Sequence, residues 1–281
     1  MPVAVIEADT PVGRELVPLL VDRGSEVRAT VREPENADPL RAVGAKVATD
    51  PVSEADTLRA VLDEAHTVCL IAADLFSPVG GSYEDAILEP ARTVIGVAGK
   101  AGVTRILLLS YPGASSTSQN DFLRSLGLAE DAVRDARPEH AILRCTHIYG
   151  PGSSWLALMM EASRRPALVP GPGTQRLAPV FSKDVARALA AADDRAQPVS
   201  GTYGLQGPDE VTAEKLVALL ARWRGPKWVG ASELSSTIQE ILAADSLADA
   251  PDANVEFGLE PTPLAVGLAA AGLRTRGMGV P

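Results

Sequence analysis

Two kinds of segment alternate along the first half of the chain. Short runs rich in apolar and β-branched residues sit at 3–6, 25–31, 46–49, 66–72, 106–110 and 141–144. Between them, stretches at 12–22, 39–43, 57–63, 82–101 and 121–135 read as helices. The run at 106–110, Ile-Leu-Leu-Leu-Ser, is typical of a strand buried on both faces. Such alternation predicts a doubly wound α/β domain, with helices on both faces of a parallel sheet. Sheets of this kind take ligands at the carboxyl ends of their strands.

The texture changes after Gly150. Pro and Gly cluster at 150–152 and 169–173, with one helix between them and another over 184–192. A strand-like run follows at 202–205, then an amphipathic helix over 212–223 headed by the capping pattern Thr212-Ala-Glu214. Residues 232–272 read as mostly helical and 273–281 as a frayed tail. The expected organisation is a Rossmann-type core over 1–150. A smaller, mostly helical part over 151–281 lines its cleft and returns strands to the core sheet.

The first strand–turn–helix, residues 4–16, carries the clearest chemical signal. A dinucleotide loop needs glycine where backbone approaches the pyrophosphate and where helix packs on strand. The three glycine positions here read Glu7, Thr10 and Gly13, so only the helix-packing one is kept. Glu7 and Asp9 also put carboxylates where a helix N-terminus would attract phosphate. Two like charges about 4 Å apart repel by roughly 1 kcal/mol in water and about 4 kcal/mol near a protein surface. From these residues a scaffold that resists the nucleotide is expected.

Composition narrows the field further. With 281 residues, 46% of them hydrophobic and 22% charged, the chain can bury a large core. A net charge of −10 argues against nucleic acid or an anionic membrane as partner. No apolar run approaches the roughly 18–20 residues needed to span a bilayer, and a strand begins at once without a basic leader. Cys69 and Cys145 lie in apolar, strand-like stretches and read as buried free thiols, which fits a cytoplasmic protein. No Cys/His/Asp cluster has metal-ligand spacing, and no Gly-x-Ser-x-Gly elbow is present.

Over nearly its whole length the chain resembles the atypical and extended short-chain dehydrogenase/reductase superfamily, in its NmrA-like or epimerase-like branches. The resemblance is carried by Val27-Arg28-Ala29-Thr30-Val31-Arg32, Leu70-Ile71-Ala72-Ala73, residues 101–110 ending in Ser110, and Ile148-Tyr149-Gly150-Pro151-Gly152. Lys183-Asp184-Val185-Ala186, the stretch 204–212 and Pro261-Thr262-Pro263-Leu264 extend it through the C-terminal part. It implies that Arg32 would meet a 2′-phosphate and Asp50 an adenine, with Gly13 in the loop. It also implies a Tyr-x-x-x-Lys pair after Ser110, but the best register puts Phe122 and Leu126 there. Phe122 has no ionisable hydroxyl, and Leu126 can neither lower a phenol pKa nor bond a ribose.

The remaining candidate groups each carry two readings. Ser110 orients a substrate carbonyl or merely caps its strand. Tyr111, at the strand's exit, replaces the missing phenol or is a rim aromatic fixed by Pro112. His147, between Arg144 and Tyr149, is an acid–base group or a structural imidazole. Asp74, beside Leu75 and Phe76, is a base with a raised pKa or a turn cap. Ser77 and Tyr83 should overlook the cleft. Trp155, Leu158, Met159 and Met160 form an apolar wall over the substrate or simple helix core. On this basis Asp74, Ser110, Tyr111 and His147 are the catalytic candidates. Phe76, Tyr83, Phe122, Tyr149, Trp155 and Met159 are the substrate-binding ones.

The leading functional expectation is an enzyme acting on a small apolar organic substrate by a redox-neutral step: cyclisation, isomerisation, dehydration or rearrangement. No cofactor is favoured, with NADP(H) or NAD(H) as the nucleotides to test. The alternatives are an NAD(P)H-dependent oxidoreductase with a deviant loop, and a non-catalytic NmrA-like ligand sensor. A homodimer is left open as an assembly.

Overall fold

The computed structural model describes residues 1–50, 52, 54–71, 74–76, 81–164, 169–224 and 234–275. Ser77 and the Ala72–Ala73 pair lie outside these residues. In chain order the first half runs β1 (Val3–Ile6), α1 (Pro11–Asp22), β2 (Val27–Thr30), α2 (Ala37–Ala42), β3 (Lys46–Ala48), α3 (Ala55–Leu62), β4 (Thr67–Leu70), α4 (Glu89–Ala101), β5 (Arg105–Ser110), α5 (Asp121–Arg134) and β6 (Glu139–Cys145). The second half adds β7 (Ile148–Tyr149), α6 (Ser154–Arg164), β8 (Arg176–Leu177), β9 (Val180–Phe181), α7 (Ser182–Asp194), β10 (Ser200–Leu205), β11 (Val211–Thr212), α8 (Ala213–Leu220), β12 (Trp223–Arg224), α9 (Ser236–Ala243), α10 (Ala253–Phe257), α11 (Leu264–Ala270) and β13 (Arg274–Thr275).

Seven strands form one sheet in the order β10-β6-β5-β4-β1-β2-β3, every neighbouring pair parallel. The middle strands β4 and β5 are buried along their whole length, as a sheet covered on both faces requires. One apolar layer packs α1, α2 and α7 against the sheet through residues such as Leu16, Leu40 and Leu189. The other packs α3, α4 and α5 and then α6 and α8 through Leu62, Val94, Leu126, Met159 and Leu216. Strand order reverses between β1 and β4, so a crevice opens there beyond their carboxyl ends.

Several details differ from the sequence expectation. The helix expected over 82–101 is split, because Glu84–Leu88 forms a π-helical turn before α4. Pro90 in the first turn of α4 has no N–H to continue the i→i−4 ladder, which accounts for the widened turn ahead of it. Trp223 leaves the helix expected over 212–223 and pairs antiparallel with Thr275, so Arg274–Thr275 is strand rather than frayed tail. Within 234–272, three short helices are separated by irregular chain. That chain is anchored where Ser246 N–H donates to the Arg176 carbonyl and Ala178 N–H to the Ser246 carbonyl.

Candidate functional site

A cleft follows the carboxyl edge of the sheet at the crevice between β1 and β4. One end is the head of α1, with Thr10, Pro11 and Val12; the other is formed by Tyr111, His147 and Trp155. Asp74, Leu75 and Phe76 line the side after β4, and Ser110 and Phe122 line the floor.

At the α1 end, the turn between β1 and α1 is drawn tight by its own backbone. Ala8 N–H donates to the Thr30 carbonyl at 2.7 Å, and Glu7 N–H to Thr30 Oγ1 at 3.0 Å. Glu7 holds a left-handed φ of 60°, a conformation that costs roughly 1–2 kcal/mol for a residue with a Cβ. A Cβ on Gly13 would stand 2.6 Å from the Ala8 Cα, so the close packing of helix on strand that this glycine permits is real. Thr10 caps α1, its Oγ1 accepting from Gly13 N–H at 3.1 Å. The Glu7 carboxylate pairs with Arg32 Nε at 2.7 Å. Burial raises the Glu7 pKa above its ordinary value, opposed by Arg32 and reinforced by Asp9 and Asp74. Asp50 is exposed beyond β3 and is not part of the cleft wall.

The opposite end is a buried polar group set in aromatic surroundings. Tyr111 donates from its hydroxyl to Ser246 Oγ at 2.8 Å, and His147 N–H donates to the same Ser246 oxygen at 3.2 Å. The Tyr111 oxygen is 3.4 and 3.3 Å from the two imidazole nitrogens of His147. An oxygen equidistant from both nitrogens is aimed at the lone pair of neither, so the strong bond is the one to Ser246. His147 stacks on Trp155 with ring centroids 4.9 Å apart, and its burial lowers its pKa to about 3. It is therefore neutral near pH 7. Burial pushes the Tyr111 phenol well above its usual range, so it keeps its proton.

Ser110 and Asp74 have specific partners. Ser110 donates to Glu130 Oε1 at 2.7 Å. Glu130 is fully buried and also accepts from Arg144 Nε and Nη2 at 2.9 and 2.7 Å and from Arg134 Nη2 at 2.6 Å. Asp74 Oδ1 accepts from Phe76 N–H at 2.9 Å, an Asx turn that shapes the rim. Phe122 is buried with its ring edge against Tyr111 and Tyr83, and Leu126 is buried behind it.

Three expected substrate-binding residues lie off the cleft wall. Tyr83, its pKa raised to about 12 by burial, donates to the Leu75 carbonyl at 2.6 Å and braces the rim from behind. Tyr149 is buried against Phe181, its hydroxyl abutting Gly267 of α11. Met159 is on the buried face of α6, packed in the core. Ser246 and Glu130 were not among the candidates. Ser246 is 135 residues from its Tyr111 partner, and no local pattern marks it. Glu130 carries a helical-spacing clue, being four residues before Arg134 on α5.

A family model described as NAD(P)H-binding matches residues 8–192. The chain belongs to the NAD(P)H-binding family. This NAD(P)H-binding protein is 31% identical over 220 residues to the NADH dehydrogenase [ubiquinone] 1 alpha subcomplex subunit 9 of Arabidopsis thaliana, covering 74% of this chain and 54% of that one. It is 30% identical over 190 residues to the ceramide reductase of Caulobacter vibrioides, covering 67% of this chain and 60% of that one. The chain thus spans little more than half the length of these relatives. In fold it is similar to UDP-glucuronic acid 4-epimerase from Bacillus cereus in complex with UDP-glucuronic acid and NAD. That likeness has a TM-score of 0.71 and 14% identity over 96% of this chain and 98% of the other.

The expectation that no cofactor is favoured is corrected by the family match. The physical reason lies in the turn. A dinucleotide loop needs a tight turn and a helix packed close on its strand, and both are present here without the first two glycines: Glu7 itself takes the left-handed φ, and Gly13 keeps the helix against the strand. The residues present therefore fit the phosphates at the head of α1, though Pro11 has no N–H and the N–H of Gly13 is used by the cap. Among the described residues no group of His, Cys, Asp and Glu is placed to hold a metal, and no helix is long and apolar enough to cross a membrane. Cys69 and Cys145 are buried and free.

Proposed function

We propose that this short-chain-dehydrogenase-like protein is an NAD(P)H-dependent reductase of a small, largely apolar organic molecule. The observation carrying this reading is the single cleft that joins the head of α1 to Tyr111, His147 and Trp155. The turn backbone and Val12 would hold the phosphates, and the loop after β2 the adenosine half. When bound, the dinucleotide supplies a hydride. Leu75, Phe76, Phe122 and Trp155 exclude water from the far end and favour an apolar body. Tyr111 holds its proton on Oη, donated to Ser246; an acceptor oxygen would replace Ser246 as the acceptor of that O–H and take the proton as the hydride arrives at carbon, and solvent would then reprotonate the phenol. His147 is neutral and holds the aromatic wall rather than delivering a proton. Ser110 is held by Glu130 and fixes the floor. The name of the ceramide reductase relative agrees with a reductive role.

A second reading has its own observation. Phe122 and Leu126 stand buried where a phenol and an ammonium would handle the proton, which favours a redox-neutral conversion or ligand sensing without turnover. One experiment separates these readings. The purified protein is incubated with NADH or NADPH and a panel of small apolar ketones and enones, and reduced nicotinamide is followed by absorbance. Acceptor-dependent oxidation that falls in Tyr111→Phe supports the reductase. Saturable acceptor binding with no oxidation of either nucleotide would contradict it and favour the second reading.

A further inference from the structure

The turn after β1 meets the loop after β2 in a way that bears on which dinucleotide is accepted. Asp9 Oδ1 accepts from Arg32 N–H at 3.1 Å, and Asp9 Oδ2 accepts from Glu33 N–H at 3.2 Å and from Asn36 Nδ2 at 3.1 Å. Arg14 closes the cluster, its Nε donating to the Asp9 carbonyl at 2.9 Å and its Nη2 to Asn36 Oδ1 at 3.0 Å. Beside it, Arg32 Nε is paired with Glu7 Oε2 at 2.7 Å.

Two peptide N–H groups, a side-chain amide and two guanidinium groups make up the chemistry of an anion seat. The chain fills that seat with carboxylates of its own. It lies at the exit of β2, about 20 residues beyond the glycine turn, where dinucleotide-binding domains read the adenosine ribose. A bare 2′-hydroxyl meets there acceptors already in place. A 2′-phosphate must displace Asp9 from its donors or stand beside two carboxylates, with Arg32 already engaged.

We propose that Asp9 and Glu7 act as an internal counterpart of the 2′-phosphate, so that the protein takes NAD(H) and refuses NADP(H). The inference rests on the nucleotide reading above and adds the choice between the two dinucleotides.

The test is calorimetric titration of the full chain, and of Asp9→Asn and Glu7→Gly, with NADH and NADPH at one fixed ionic strength. Adenosine 5′-monophosphate and adenosine 2′,5′-bisphosphate serve as probes of the adenosine end alone. The unsubstituted chain should prefer NADH by about tenfold or more, as a like-charge contact implies. Each variant should narrow the gap by tightening NADPH and the bisphosphate while NADH and the monophosphate, deprived of an acceptor for the 2′-hydroxyl, gain nothing or weaken. Glu7→Gly also relieves a left-handed φ, so it keeps the test open if Asp9→Asn folds poorly. Equal or reversed preference in the unsubstituted chain, or equal gains for both nucleotides in the variants, overturns the proposal while leaving nucleotide binding intact. Absence of binding by either dinucleotide to any of the three chains overturns the nucleotide reading itself, and this inference with it.

Discussion

The two ends of the cleft are built on opposite terms. At the α1 end the backbone is kept and the side chains have changed: Gly13 still packs on Ala8, while Glu7 and Asp9 bring carboxylates to a turn that elsewhere meets phosphate. At the Trp155 end the buried polar groups are neutral and are tied by Ser246 from a distant part of the chain. Charge sits at the head of α1, and neutral polar groups sit at the aromatic end. On the proposed reading, electrostatics at the α1 end would govern which nucleotide is taken, whereas shape and the Tyr111 hydroxyl would govern what is held beside it.

The largest expected effect breaks the floor common to both ends. Glu130→Ala removes the one acceptor shared by Ser110, Arg144 and Arg134. Ser110 would lose its acceptor inside the core, while Arg144 keeps Asp249 and the Ala114 carbonyl, so the change should cost about 1–3 kcal/mol in denaturant unfolding. A loss below about 1 kcal/mol, the range of surface pairs, would mean that this network is ordinary surface pairing. Next comes Gly13→Ala, which drives a methyl into the Ala8 backbone. It should destabilise by about 1–3 kcal/mol and weaken NADH binding at the same time. Full stability with unaltered binding would show that the tight turn is not what forms the cradle.

Tyr111→Phe isolates the neutral end. Losing its bond to Ser246 should lower stability by about 1 kcal/mol and reduce turnover without changing NADH affinity. A drop in NADH affinity would place Tyr111 with the nucleotide instead. The smallest effect is a pH slope from Glu7. Its pKa is raised in the folded chain, so its contribution to stability is fully present below its unfolded value near 4.5 and is lost as pH rises through the raised value. Arg32, Asp9 and Asp74 are the charged groups acting on it. Glu7→Gln should flatten that part of the stability–pH curve, measured by thermal unfolding; an unchanged slope would assign it to another group.

Much of the fold is legible from local pattern. The buried run Ile106–Leu109 and the alternation around it define the parallel sheet, because the period of the apolar positions reports burial directly. The limits of α4 and α8 are less legible, since Pro90 and the pairing of Trp223 with Thr275 act through backbone bonds that no window reveals. The cleft follows the same rule. Ser110, Tyr111 and His147 are readable because they sit at strand exits, but Ser246 is brought in by chain far along the sequence. The sign of the nucleotide expectation failed for a physical reason. Missing glycines read as a missing cradle, yet Glu7 holds the left-handed φ of the turn despite its Cβ.

The most direct test of the account is a calorimetric titration of the full chain with NADH, followed by the same titration of Gly13→Ala. The account predicts saturable binding in the micromolar range that Gly13→Ala weakens, because the α1 turn forms the cradle. No binding up to millimolar NADH, or equal binding by both proteins, would contradict it.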